Sequence, residues 1–198
     1  MSPEQFSHLY DRLPLCGTGI IMGAVLALLH LAAVIYPEET KKFLNSLHLR
    51  PKLGIGLMVV NFAWILLLLA DFKWTPLCMP LFSFEAFRWK LFFVAIPVCG
   101  VLCCYSREHI FARALGLFLL LAAIVPLSAA FLKDPVTRLL IPIWWYPVLT
   151  AAMFLVAKPY LLRDWAAALS KHPKVYLLSA WLGLGYAVAI MACAILFW

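Results

Sequence analysis

The chain has 198 residues, of which 66% are hydrophobic and only 13% carry a charge. A soluble globular domain has about 25% charged residues, so this composition excludes a water-soluble fold. The formal net charge of +7 does not indicate nucleic-acid binding, because the basic residues are scattered through the polar segments and flank apolar runs, as the positive-inside rule predicts for membrane proteins.

Six apolar runs are each long enough to cross the roughly 30 Å hydrocarbon core of a bilayer as a helix. They cover residues 13–36, 53–70, 84–105, 110–132, 139–157 and 175–198. In the third run the uncharged part is short, so Arg88 and Lys90 would have to extend toward the headgroups. We therefore predict an all-α integral membrane protein, a bundle of six transmembrane helices that forms a single domain over residues 1–198.

Two connecting segments have patterns of their own. Residues 158–172 place Leu161, Leu162, Trp165 and Leu169 at helical spacing, which predicts one short amphipathic helix lying at the membrane surface over residues 160–169. Residues 72–87 are rich in phenylalanine and interrupted by prolines. Since proline disfavours a continuous helix, this segment favours a surface-lying or shallow re-entrant loop.

Small residues four apart predict surfaces where two membrane helices approach closely. We single out three such pairs in the first and sixth runs, which are Gly19 with Gly23, Gly183 with Ala187, and Gly185 with Ala189. Prolines inside the third, fourth and fifth runs leave backbone carbonyls without their usual donors and are typical of kinked spans.

The orientation follows from the basic residues. The loops after the first, third and fifth runs hold ten of the 16 Lys and Arg residues. The positive-inside rule therefore predicts that these loops are cytoplasmic and that both termini lie on the outer side of a plasma or inner membrane.

Polar side chains at membrane depth are costly and therefore informative. His30 lies about 9 Å from the cytoplasmic end of the first span, by the helical rise per residue. It is a hydrogen-bonded helix contact, a proton relay, or a haem or metal ligand. If it binds haem, the second ligand on the same predicted side of the membrane is His109, at the start of the fourth span.

Three further residues are candidates for contacting a substrate. Asn61 lies near the middle of the second span, where a lone Asn commonly bonds to a neighbouring helix for about 1 kcal/mol. On the outer face, Glu85 and Arg88 are three residues apart and can pair. With the neighbouring charged loop at 133–138 they could form a pocket for an anionic group, although ordinary boundary charge is the simpler interpretation.

Several activities are disfavoured. No span centre carries a Lys for a retinal Schiff base, and the nine acidic residues lie at the span boundaries. We expect a non-catalytic subunit or anchor of a membrane-protein complex, whose partners are membrane lipids, other membrane subunits or copies of itself. A small oligomeric transporter or channel that uses Asn61 or His30 is the first alternative. A redox subunit with haem on His30 and His109 is the second.

Overall fold

A computed structural model describes residues 13–47, 49–70, 86–105 and 110–198. Within these ranges the chain is helical and contains no strand. The helices are α1 (Leu15–Ile35), α2 (Pro37–Leu47), α3 (Pro51–Leu69), α4 (Arg88–Tyr105), α5 (Ile110–Ala130), α6 (Leu140–Ala157), α7 (Tyr160–Lys171) and α8 (Pro173–Leu196). A 3-10 turn, Val136–Leu139, leads into α6.

Five of the described helices are long and apolar enough to cross a membrane. They are α1, α3, α5, α6 (counted with the 3-10 turn before it) and α8. This supports an all-helical integral membrane protein, as predicted. The count of six spans is not confirmed, because α4, which occupies the place of the third predicted span, is not among the five. Arg88 and Lys90 stand in its first turn, and the uncharged remainder, 91–105, is shorter than the ~20 residues of a typical span.

The long helices pack in pairs around α5. The closest pairs are α1 with α8, α5 with α6, and α3 with α5, and α1 also contacts α5. Most of the buried residues of α5 are small, namely Ala112, Ala114, Gly116, Ala123, Ala129 and Ala130. Small side chains let membrane helices approach closely. Helix α4 has its main contact with α3, at the edge of the bundle.

Two of the three predicted small-residue contacts are confirmed at the α1–α8 interface. A Cβ on Gly19 would collide with the Trp198 ring, 2.7 Å from its Cε3 atom, and one on Gly23 would lie 3.2 Å from the Ala187 carbonyl oxygen. Gly183 lies even closer to its neighbour, the His30 ring, which an added Cβ would overlap. The third pair is different, because in the described part of the chain no atom lies within 4 Å of the position that a Gly185 Cβ would take.

The predicted amphipathic helix is present as α7, but the prediction of only one such helix is wrong. Residues 37–47, which resemble a solvated helix end in sequence, form α2, a second short amphipathic helix. Glu38 and Glu39 occupy its first turn, where negative charge is favourable. Asn45 on α2 donates a 2.7 Å hydrogen bond from Nδ2 to Ser170 Oγ on α7. The two short helices therefore form a paired layer at one end of the bundle, which we call the α2/α7 end.

The opposite end gathers the start of α1 and the end of α8. Lys133 donates a hydrogen bond to the Leu13 carbonyl, and the Trp198 indole donates one of 2.8 Å to Thr137 Oγ1. The loop predicted at 72–87 falls almost wholly outside the described residues.

Candidate functional site

His30 is held by its own helix and by two others. Its Nδ1 lies 2.8 Å from the Leu26 carbonyl; since a carbonyl only accepts, Nδ1 carries the proton. The ring meets Trp144 of α6 edge to face, with centroids 5.9 Å apart. Trp144 in turn stacks on Tyr186 of α8 at 5.2 Å. His30 is therefore part of an aromatic contact between α1, α6 and α8.

The surroundings of His30 do not fit a haem ligand in this arrangement. With Nδ1 bonded to Leu26, only Nε2 is available to a metal. The edge of the ring that carries Nε2 lies against Gly183, where even an added Cβ would collide with Nε2 and Cδ2. An iron atom and a porphyrin would have to occupy the space taken by α8. The proposed second ligand, His109, lies outside the described residues.

Asn61 is fully buried, with 0% of its surface exposed. Its Nδ2 donates a 2.7 Å hydrogen bond to the Ala114 carbonyl of α5. Its Oδ1 is buried and meets no donor among the residues that the structure describes. Met58, Ile110 and Ala114 form an apolar cluster around this contact. A solute would have to separate α3 from α5 to reach Asn61, so the geometry favours a helix contact over a substrate contact.

Arg88 is 4% exposed and lies where α4 meets the end of α3. Its guanidinium donates to the Leu69 carbonyl at 3.5 Å. Leu69 is the last residue of α3, so the positive charge lies at the negative end of that helix. Glu85, the predicted partner of Arg88, lies outside the described residues. Leu69, which Arg88 contacts, lies about 12 Å along α3 from Asn61, so Arg88 and Asn61 are not neighbours.

The structure does not bring together the three predicted site residues that it describes. His30 lies between α1, α6 and α8, Asn61 lies between α3 and α5, and Arg88 lies at the α3–α4 junction. Within the described part of the chain no three His, Cys, Asp or Glu side chains are placed to hold a metal ion.

Sequence reasoning missed an apolar groove between α5, α6 and α7. Its volume is about 600 Å³, within the range of ligand pockets in general. Leu115 and Leu119 of α5, Phe154 and Leu155 of α6, and Leu161 and Trp165 of α7 line it, with Asp164 at its edge. The only sequence signal was the apolar stripe of α7, which predicted a helix but not what lies beneath it.

The outer face of α4 is a second feature that sequence reasoning missed. Phe93, Pro97, Gly100 and Val101, which we call the α4 face, recur at the spacing of one helix side, and all four are exposed. Phe93 and Val101 are 65% and 64% exposed. No atom of the residues that the structure describes lies within 4 Å of the position that a Gly100 Cβ would take.

Basic residues are concentrated at the α2/α7 end. The described basic residues at that end are Lys41, Lys42, Arg50, Lys52, Arg113, Lys158, Arg163, Lys171 and Lys174. Those at the opposite end are Arg88, Lys90, Lys133 and Arg138. The structure therefore places most of the described positive charge on one side of the bundle.

No protein-family model matches this chain. No curated protein and no solved structure is similar to it either.

Proposed function

We propose that this protein is a non-catalytic integral subunit, or anchor, of a membrane-protein complex, and that it associates through the α4 face. The observation that carries the proposal is the position of α4, which lies at the bundle edge against α3 and is left largely uncovered by the other described helices. The partner is a transmembrane helix of another membrane protein.

Apolar exposure alone does not call for a protein partner, because lipid tails cover apolar side chains equally well. The backbone of α4 supplies the further argument. Pro97 has no N–H to donate to the Phe93 carbonyl, and an unsatisfied carbonyl costs several kcal/mol in hydrocarbon. Gly100, one turn further along the same side, leaves room for a second backbone to approach. A partner helix could both fill this space and donate to the carbonyl.

The polar residues inside the spans support a structural role. His30 and Asn61 each hold two or more helices together. The transporter hypothesis has less support, because Asn61 is fully buried against α5.

We also infer that the α2/α7 end faces the cytoplasm, because it carries the greater part of the described positive charge. The start of α1 and the end of α8 would then lie on the outer side of a plasma or inner membrane.

The test uses the full chain, tagged and extracted from its native membrane in a mild detergent. A photo-crosslinking residue at Val101 is expected to capture one membrane protein that also copurifies in fixed stoichiometry. The same residue at Val188, which is 55% exposed on α8, is expected to capture no such protein.

Two leucine substitutions form a matched pair. Gly100→Leu and Gly185→Leu both enter open space in this chain, so both variants are expected to fold. Gly100→Leu should lower partner recovery about tenfold, the cost of overpacking a close helix contact, and Gly185→Leu should leave it unchanged. Equal recovery in the two variants, or loss in Gly185→Leu alone, would overturn the proposed α4 interface.

A further inference from the structure

The groove between α5, α6 and α7 lies where the bundle meets the headgroup region. Its roof is α7, an amphipathic helix, and its walls are the α7-facing halves of α5 and α6. Val148, its deepest contact on α6, lies about 14 Å along the helix from Ala157, by the rise per residue. The groove therefore extends from the surface helix well into the hydrocarbon layer.

The lining is apolar from this depth up to α7. Leu115, Leu119 and Leu155 are half-buried, while Phe154 and Trp165 at the opening are 53% and 55% exposed. Tryptophan prefers the headgroup level of a bilayer. Such a slot, open to the side and closed above, matches the shape and polarity of a lipid acyl chain.

Asp164, which lines the groove, forms an ion pair with Arg163, the residue before it on α7. Arg163 donates from Nε and from one terminal nitrogen to Asp164, and both hydrogen bonds, each 3.1 Å long, end on Oδ1. The second carboxylate oxygen, Oδ2, can therefore accept from another donor. The guanidinium has five N–H donors, so Arg163 can also bind an anion without releasing Asp164.

We propose that this groove is a binding site for a phospholipid whose headgroup carries a primary ammonium, as in phosphatidylethanolamine. One acyl chain occupies the groove beneath α7. The ammonium donates to Asp164 Oδ2, and the phosphate accepts from Arg163. The site is independent of the α4 face, which lies on a different helix.

The sign of the charges selects this class of lipid. Asp164 lines the groove itself, so a headgroup with only negative charge would meet a carboxylate at the opening. A phosphatidylcholine headgroup has the same net charge as phosphatidylethanolamine, but its quaternary ammonium has no N–H to donate. The preference between these two lipids therefore measures the contribution of Asp164.

The experiment is native mass spectrometry of the full-length protein in mixed micelles. Dioleoyl phosphatidylethanolamine, phosphatidylcholine and phosphatidylglycerol are added singly at equal concentration. One phosphatidylethanolamine is expected to remain bound about fivefold more often than either of the others, the size of effect that one partly exposed charged hydrogen bond gives.

Two variants separate the headgroup from the groove. Asp164→Asn is expected to remove the preference for phosphatidylethanolamine while leaving phosphatidylcholine binding unchanged. Ala151→Phe, which adds a ring to an exposed wall position of the groove, should reduce binding of all three lipids. Ala189→Phe makes the same change at an exposed position of α8 and should have no effect.

Equal retention of the three lipids by the unchanged protein would overturn the headgroup assignment. Equal losses in Ala151→Phe and Ala189→Phe would overturn the groove as the site. Loss of all lipid in Asp164→Asn, with its helical content intact, would also contradict the proposal, because the acyl chain should still bind.

Discussion

The imidazole of His30 on α1 lies directly against Gly183 on α8. A side chain at position 183 would overlap the ring. This contact lies near the middle of the α1–α8 interface, with Gly23 and Met191 on one side and Tyr176 and Ala33 on the other. A histidine that appears in sequence as a candidate ligand is thus accommodated by a specific glycine.

Gly183→Ala should destabilise the protein because the new methyl group collides with the His30 ring. We expect a loss of about 1–3 kcal/mol in the free energy of unfolding, measured in mixed micelles. Gly185→Ala, where no atom lies within 4 Å, is the control and should be neutral or slightly stabilising, since alanine favours helix. In the double variant His30→Ala with Gly183→Ala the collision is absent, so the two losses should not add. Additive losses would show that the contact is not as described.

Asn61→Leu should change the free energy of unfolding by less than about 1 kcal/mol. The variant loses the hydrogen bond to Ala114 but also removes Oδ1, a buried acceptor without a donor among the described residues, and the two effects oppose each other. Asn61→Asp loses the same donor and buries a carboxyl group, so it should cost more, about 2–3 kcal/mol.

Asn45→Asp on α2 is the matched control for Asn61→Asp. Asn45 lies at the α2/α7 end, outside the predicted spans, and should tolerate the carboxylate with a much smaller loss of unfolding free energy. A fully stable Asn61→Leu protein that nevertheless loses solute flux in liposomes would contradict the structural role and favour the transporter hypothesis.

Lys41→Met should loosen α2 from the bundle, whereas Lys42→Met should not. Lys41 pairs with Glu38 at 3.0 Å, and its ammonium lies 5.1 Å from the centre of the Tyr176 ring on α8. Only 15% of the Lys41 side chain is exposed, against 72% for Lys42. Loss of these contacts, worth about 1 kcal/mol, should raise amide hydrogen exchange along α2 about fivefold. Equal exchange in the two variants would rule out the anchoring role of Lys41.

The inferred orientation can be tested with single cysteines in a background from which the six native cysteines have been removed. Val136→Cys, at a position 76% exposed at one end of the bundle, should react with a membrane-impermeant maleimide in intact cells. Lys171→Cys, at the α2/α7 end, should react only after the membrane is permeabilised. The reverse pattern would invert the assignment.

The span positions were predictable because hydrophobicity over about 20 residues is a strong signal. The observed helices α1, α3, α5, α6 and α8 end within a few residues of the predicted runs. The second amphipathic helix was missed because the charges at 38–42 dominate the sequence there. Its apolar side, which includes the buried Leu47, becomes evident only once α7 lies beside it.

The site residues were harder to predict because a sequence does not show which helices are neighbours. Asn61 was expected to contact either a helix or a substrate, and the pairing of α3 with α5 places it against Ala114. The groove beneath α7 depends on how three consecutive helices, α5, α6 and α7, pack against one another. No local pattern in any one of them indicates the space between them.

The pairing of α1 with α8 has a consequence for biogenesis. During synthesis α1 leaves the ribosome first among the described helices, while its principal neighbour emerges on the order of ten seconds later at ordinary elongation rates. Throughout that interval the glycine-lined surface of α1 faces lipid or the insertion machinery. Native packing of this surface is therefore completed only after translation of the last described helix.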